Sequence, residues 1–223
     1  VSSISLSLTV GLVATVASLP AAIAVAWYLE RTRLPGRELV QTLVMLPLVL
    51  PPVVVGYLLL RAFSPRGPLG GFLERLGTPV AFHWAGAVLA AAVVGFPLFV
   101  LTVAQAMKAV DSRYETISRA LGRSAWGTFF RVTLPLSWPG ILSGAAIAFA
   151  RGLGEFGATI VLAGRIPGET ETIPLEIYAE LDAPGGETRI AGLLAAAILL
   201  CLACVVGSRL LDRWYRRRLE LER

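Results

Sequence analysis

The chain has 223 residues, 56% of them hydrophobic and 16% charged, with a mean hydropathy of +0.71. A soluble domain carries about a quarter of its residues as charges, so a water-soluble globule is excluded. Lys and Arg exceed Asp and Glu by 20 to 15, for a net charge of +5, yet the cations fall between and after apolar runs. That placement excludes a nucleic-acid-binding surface and points to a chain threaded through a bilayer.

Crossing a hydrocarbon core takes about 20 apolar residues, and five stretches meet that length. The first, about 4–29, is softly interrupted by Gly11 and Pro20. The second, 39–60, contains Pro47, Pro51 and Pro52. Its "LPLVLPPVVVG" predicts a kinked or locally unwound helix inside a bundle, where neighbours satisfy the carbonyls that proline frees. The third runs over 85–107, the fourth over 136–163 and the fifth over 190–211. The expected fold is an all-α polytopic membrane protein with five transmembrane helices, a single transmembrane domain over 1–223. The start shows neither a basic n-region nor a small-residue cleavage site, so no cleaved leader is expected.

The second and fourth connections are rich in Gly and Pro, as turns require. His83 stands alone in the first of them and reads as an interfacial residue rather than a metal ligand. Cys201 and Cys204, in "LLCLACVVG", read as small apolar residues of a lipid-embedded helix. Redox or metal chemistry would need an exposed, electropositive setting. No metal site is expected.

Fourteen of the 20 cations lie in the first connection, the third connection and the tail. The positive-inside rule therefore puts those regions, the C-terminus included, in the cytoplasm and the N-terminus outside. The tail "RLLDRWYRRRLELER" reads as an anchor against anionic membrane lipid.

The third connection, about 111–135, is the chemically unusual part. Asp111 or Ser112 is placed to cap a helix, and Glu115 suits the positive end of its dipole. Ile117, Ala120 and Leu121 recur at a spacing that gives one apolar face. Gly122 weakens the helix, and "LPLSWPG" is expected to close the segment as the chain returns to the membrane. The sum is a short amphipathic helix, a bend and a second short element. On residues alone, a solvated return loop or a helix lying on the lipid surface competes with any docking role.

The spacing of this block resembles the cytoplasmic loop of bacterial ABC importer permeases: Glu-Ala-Ala, three residues, Gly, nine residues, Ile, one residue, Leu-Pro. Here Gly122 is followed by nine residues and then by Val132, Thr133, Leu134 and Pro135. The Glu-Ala-Ala places hold Thr116, Ile117 and Ser118, with Glu115 one position early. The resemblance implies that Glu115, Ser118, Ala120, Leu121, Gly122, Val132, Leu134 and Pro135 belong to a loop that docks in a groove of an ATPase subunit and transmits its motion. "LPLVLPPVVVGYLLL" (46–60), "ARGLGEFGATIV" (150–161), "IPGETETIPLEIY" (166–178) and "PGGE" (184–187) narrow the resemblance to molybdate permease subunits. The "GEFGA" piece is similar in sulfate permeases, and tungstate is a tetrahedral dianion of nearly the same size as molybdate.

That resemblance implies a type I ABC importer permease bundle, working as two copies of this chain above two ABC ATPase subunits. An external solute-binding protein would deliver the anion and hold the specificity. The sequence agrees in one respect: it has no G-x-x-x-x-G-K-[ST] phosphate loop, and Lys108 is its only lysine. No cofactor is expected on this chain; ATP would be bound by the partner subunit.

Arg151 and Glu155 lie four residues apart, on one helical face of the fourth stretch. Ionisable groups in a span usually face a bundle interior or a watery cavity. With Thr159 they are candidates for the translocation path; the competing reading is a structural ion pair that fixes the fourth helix. Gly152, Gly154 and Gly157 are expected to serve close helix packing. Three rival functions stay open at this point: a sulfate or thiosulfate permease, an ATP-independent secondary anion transporter, and a membrane enzyme. The last lacks any catalytic constellation.

Overall fold

In the computed structural model, residues 2–31, 35–183 and 185–221 are described, with side chains described as far as residue 210. Arg33 and Arg223, which entered the charge count, Pro184 and the side chains of the basic tail beyond 210 lie outside that description. Every described element is helical: α1 Ser3–Arg31, α2 Arg37–Val49, α3 Pro52–Phe63, α4 Gly70–Arg75, α5 Trp84–Lys108, α6 Ser112–Ala120, α7 Ala125–Leu153, α8 Gly157–Leu162, α9 Ile173–Glu180 and α10 Glu187–Leu221. Four helices (α1, α5, α7 and α10) are long and apolar enough to cross a bilayer, and α2 with α3 makes a fifth if counted as one broken span.

The second apolar stretch breaks more sharply than a kink. Leu50 is extended at φ −71°, ψ 143°, because the ring of Pro51 crowds the preceding residue out of the helical region. Pro51 is itself extended, and Pro52 then occupies the first turn of α3, where a missing N–H costs nothing. The two helices meet at 111°.

The fourth stretch corrects the expectation of one helix over 136–163. The helix begins earlier, at Ala125, so "LPLSWPG" lies inside α7 instead of closing the connection. It also ends earlier, at Leu153. Gly154 and Phe156 leave helical geometry, and the chain restarts as the short α8. Near its start α7 widens: Phe129–Thr133 forms a π-helical turn, in which the N–H of Leu134 donates to the carbonyl of Phe129, five residues back. Pro135 explains the widening. It has no N–H to give, and its ring would strike the carbonyl of Arg131 in a normal α-helical turn.

α5 is the hub. Phe99, Val100, Val103 and Met107 are fully buried against Ala22, Ala26 and Leu29 of α1 and Ile141 and Ala148 of α7. Val94 and Ala90 pack instead against Val55 of α3 and Ala158 and Leu162 of α8. Lipid is as apolar as leucine, so these contacts hold by close fit, and small residues serve that fit. α10 packs on α7 and leaves Ile198, Leu199, Leu202 and Val206 exposed, the surface a lipid-facing helix presents. At the end of the bundle where α1 begins, Ser7 Oγ accepts the N–H of Ile173 at 2.8 Å, and Arg189 pairs with Glu176 at 2.8 Å.

Candidate functional site

The block after α5 folds as an elbow with two capped limbs. Asp111 Oδ1 accepts the N–H of Arg113 at 2.9 Å, starting α6 as the sequence suggests. α6 ends in a Schellman motif: Gly122 at φ +83° lets the Arg123 N–H reach Ser118 O and its own N–H reach Arg119 O. Nothing lies within 4 Å of a Cβ built at Gly122, so the backbone angle alone demands glycine there. Ser124 then caps α7 by accepting from Gly127 at 3.1 Å.

The limbs are zipped by polar groups. Ser118 Oγ lies 3.0 Å from Thr128 Oγ1, and Thr133 Oγ1 donates to Glu115 Oε1 at 2.7 Å. All of these residues are buried. Glu115 and Ser118 share a face of α6 at i, i+3 spacing. The widened π turn brings Thr128 and Thr133, five residues apart, onto the facing side of α7. Thr133, the position the motif leaves unspecified between Val132 and Leu134-Pro135, is thus the one that holds the acid.

The outward side of α6 is inverted relative to a soluble helix. Ile117 is 58% exposed and Leu121 77%, with Tyr114 and Ala120 exposed beside them. Trp126, Phe130 and Pro135 continue the exposed surface, while Val132 and Leu134 are half-buried. The buried side of α6 is polar, at Glu115 and Ser118, while its exposed side sets the large apolar Ile117 and Leu121 among Arg113, Thr116 and Arg119. Apolar exposure of that size marks an interaction surface.

Arg31, counted by sequence reasoning only as a topology charge, reaches into the elbow. Its Nη2 donates to the carbonyls of Met107 at 2.5 Å and Val110 at 3.0 Å. Its Nε lies 3.1 Å from Glu115 Oε1, off the line of a hydrogen bond but close enough for an ion pair. Four residues earlier, Trp27 stacks on Trp126 with ring centroids 4.9 Å apart. An arginine in the last turn of an apolar helix, with an acid in the facing connection beside the capping Asp111, was the available signal for this contact.

Among the candidates in the fourth stretch, Arg151 Nη1 meets Glu155 Oε2 at 2.9 Å. The other oxygen, Oε1, accepts the N–H of Ala158 at 2.8 Å and so caps α8. Glu155 is 2% exposed and Thr159 is equally buried, whereas Arg151 keeps 29% of its side chain accessible. The broken segments meet here, for Gly157 lies against Pro52 and Gly56 against Ala158. Of the glycines at 152, 154 and 157, only Gly157 stands where a side chain would collide. His83 caps α5 through Nδ1 and approaches Glu169 at 3.6 Å. Cys201 and Cys204 are free thiols on α10. Among the described residues no His, Cys, Asp and Glu cluster could hold a metal ion.

Broken apolar helices surround a central hub, and a capped elbow with exposed apolar residues stands at one end. The solved MetNI methionine ABC transporter, in inward-facing conformations, contains a chain of the same fold: TM-score 0.69 at 16% identity, covering 95% of this chain and 91% of that one. Residues 18–220 match the binding-protein-dependent transport system inner membrane component family, and the chain belongs to that family. It is 46% identical over 221 residues, 99% of its length and 95% of the relative's, to the molybdenum transport system permease protein ModB of Haemophilus influenzae. It is also similar to the sulfate transport system permease protein CysT of Escherichia coli, at 38% identity over 78% of this chain and 64% of that one.

Proposed function

We propose that this chain is the membrane subunit of an ATP-driven importer for molybdate, with tungstate as a second substrate of the same charge and shape. The inverted α6 carries this reading: a buried polar zip and an exposed apolar face suit a helix made to seat in a partner. That partner is an ABC ATPase subunit, which binds and hydrolyses ATP; this chain is the passage and not the motor. The greater similarity to ModB than to CysT, in identity and in coverage of both chains, favours molybdate over sulfate.

The working unit is a pair of these chains. α2 buries no residue within its own chain, and its face of Glu38, Gln41, Thr42, Leu46 and Val49 is exposed, with Met45 half-buried among them. Gln41 facing lipid would be costly, whereas Thr42 donates to the carbonyl of Glu38 at 2.8 Å, so a second copy or an aqueous path covers Gln41. The elbow lies on the cytoplasmic side and the N-terminus outside, where a solute-binding protein delivers the anion.

Within the passage, Arg151 offsets Glu155 so that a dianion meets no net negative charge, and contacts with the anion are weak and brief. The buried, doubly engaged carboxylate supports a bracing role for Glu155, which leaves Arg151 as the residue with accessible charge. The deciding experiment is uptake of labelled molybdate into vesicles holding permease, ATPase and binding protein, with sulfate and tungstate as competitors. ATP-dependent uptake blocked by tungstate and not by sulfate is the expected result. Uptake by the permease alone down an ion gradient would establish a secondary transporter instead.

A further inference from the structure

We propose that Arg31 is a positioning residue that carries movement of the elbow into the first span. The inference rests on the transport reading above and extends it to the route by which ATP-driven motion enters the bundle.

One half-buried cation ties the ends of four helices together. Arg31 closes α1; its guanidinium donates to Met107 O and Val110 O at the end of α5. Those carbonyls sit at and just beyond the negative pole of α5, where Met107 O also accepts the N–H of Val110 at 3.3 Å. The same guanidinium pairs with Glu115 of α6, and Glu115 accepts from Thr133 in the π turn of α7. The side chains of Arg31 and Glu115 are 16% and 11% exposed, so water screens the pair little.

A second strut stands one turn back on the same face of α1, where Trp27 stacks on Trp126. Two contacts a turn apart resist both sliding and rocking of the elbow against α1. Displacement of the elbow by a closing motor therefore moves α1, instead of being absorbed where the elbow joins the bundle. A planar guanidinium can hold two carbonyls and a carboxylate together, whereas a lysine ammonium preserves the charge without the fork. This separates the clamp from the topology rule, which counts Lys and Arg alike.

The test uses the complete complex in vesicles, reading molybdate import and ATP hydrolysis together for R31M, R31K, E115Q and R31M/E115Q. Import per ATP is expected to fall about fivefold in R31M. It is expected to fall less in E115Q, which leaves the Arg31 bonds to Met107 O and Val110 O in place. The double variant should fall no further than R31M, which already cuts the contact that E115Q cuts. R31K is expected to assemble in the native orientation and still to lose import per ATP. An unchanged ratio in assembled R31M or R31K overturns the proposal, as does a double variant whose loss is the product of the single losses. Failure of both R31M and R31K to assemble with the ATPase also overturns it, making Arg31 an assembly residue. Wild-type vesicles that import nothing on ATP would overturn the transport reading itself, a result visible before any variant is made.

Discussion

A Cβ built on Gly157 would lie 2.9 Å from the Cβ of Pro52, so the restart of α8 packs directly on the restart of α3. The two interrupted segments are therefore one structural feature. Proline opens the first, while Gly154 and the capping carboxylate of Glu155 open the second.

That contact makes glycine obligatory at its centre. A Cβ at Gly56 would sit 2.8 Å from both the Cα and the carbonyl oxygen of Ala158, where backbone has no room to yield. Gly56→Ala is expected to lose about 1–3 kcal/mol of stability, the usual cost of overpacking. Gly152→Ala, whose Cβ would meet Ala91 at an ordinary 3.5 Å, is expected to be neutral or slightly stabilising. Thermal unfolding of both variants in detergent separates these outcomes.

The brace at Glu155 predicts an order of damage. Arg151→Met leaves a 2% exposed carboxylate with only the Ala158 N–H for company, a loss of up to about 3–5 kcal/mol. Glu155→Gln keeps an oxygen to cap α8 and should cost less, and Glu155→Ala removes cap and pair together. Uptake by assembled Glu155→Gln and Arg151→Met complexes then tests the path: altered transport or ATP coupling is expected, and normal transport in both removes the pair from it.

The elbow predicts a separation of folding from docking. Ile117→Asp and Leu121→Asp alter exposed side chains, so stability should stay within about 0.5 kcal/mol while co-purification with the ATPase is lost. Gly122→Val forces a β-branched residue to φ +83° and should cost about 1–2 kcal/mol or more, loosening the elbow itself. Thermal unfolding beside a pull-down reads both effects.

Much of this architecture is legible in the sequence because bilayer thickness and helix rise leave few choices for a long apolar run. The Gly122 to Leu134-Pro135 spacing is legible for a local reason: a left-handed stop and a proline-widened turn are backbone demands that particular residues must meet. The break after Leu153 is harder to read. An apolar run looks the same whether it is one helix or two, and Gly154 signals a stop only once Glu155 is seen to cap the restart.

The elbow's polarity was hidden for a different reason. Ile117 and Leu121 give an apolar face at the right period, but periodicity does not say whether that face turns to its own bundle or away from it. Arg31 was hidden because topology already accounted for it, and its partners Met107, Val110 and Glu115 lie some eighty residues along the chain, at separations of 76 and 79 for the two carbonyls.

The central claim is that the exposed face of α6 seats in a cytoplasmic ATPase subunit. It is tested most directly by a single cysteine at Leu121, with Cys201 and Cys204 replaced by alanine, in intact cells that also make the ATPase. The account predicts a crosslink to the ATPase subunit and no labelling by a membrane-impermeant thiol reagent added outside. Labelling from outside, with no crosslink to the ATPase, would contradict it.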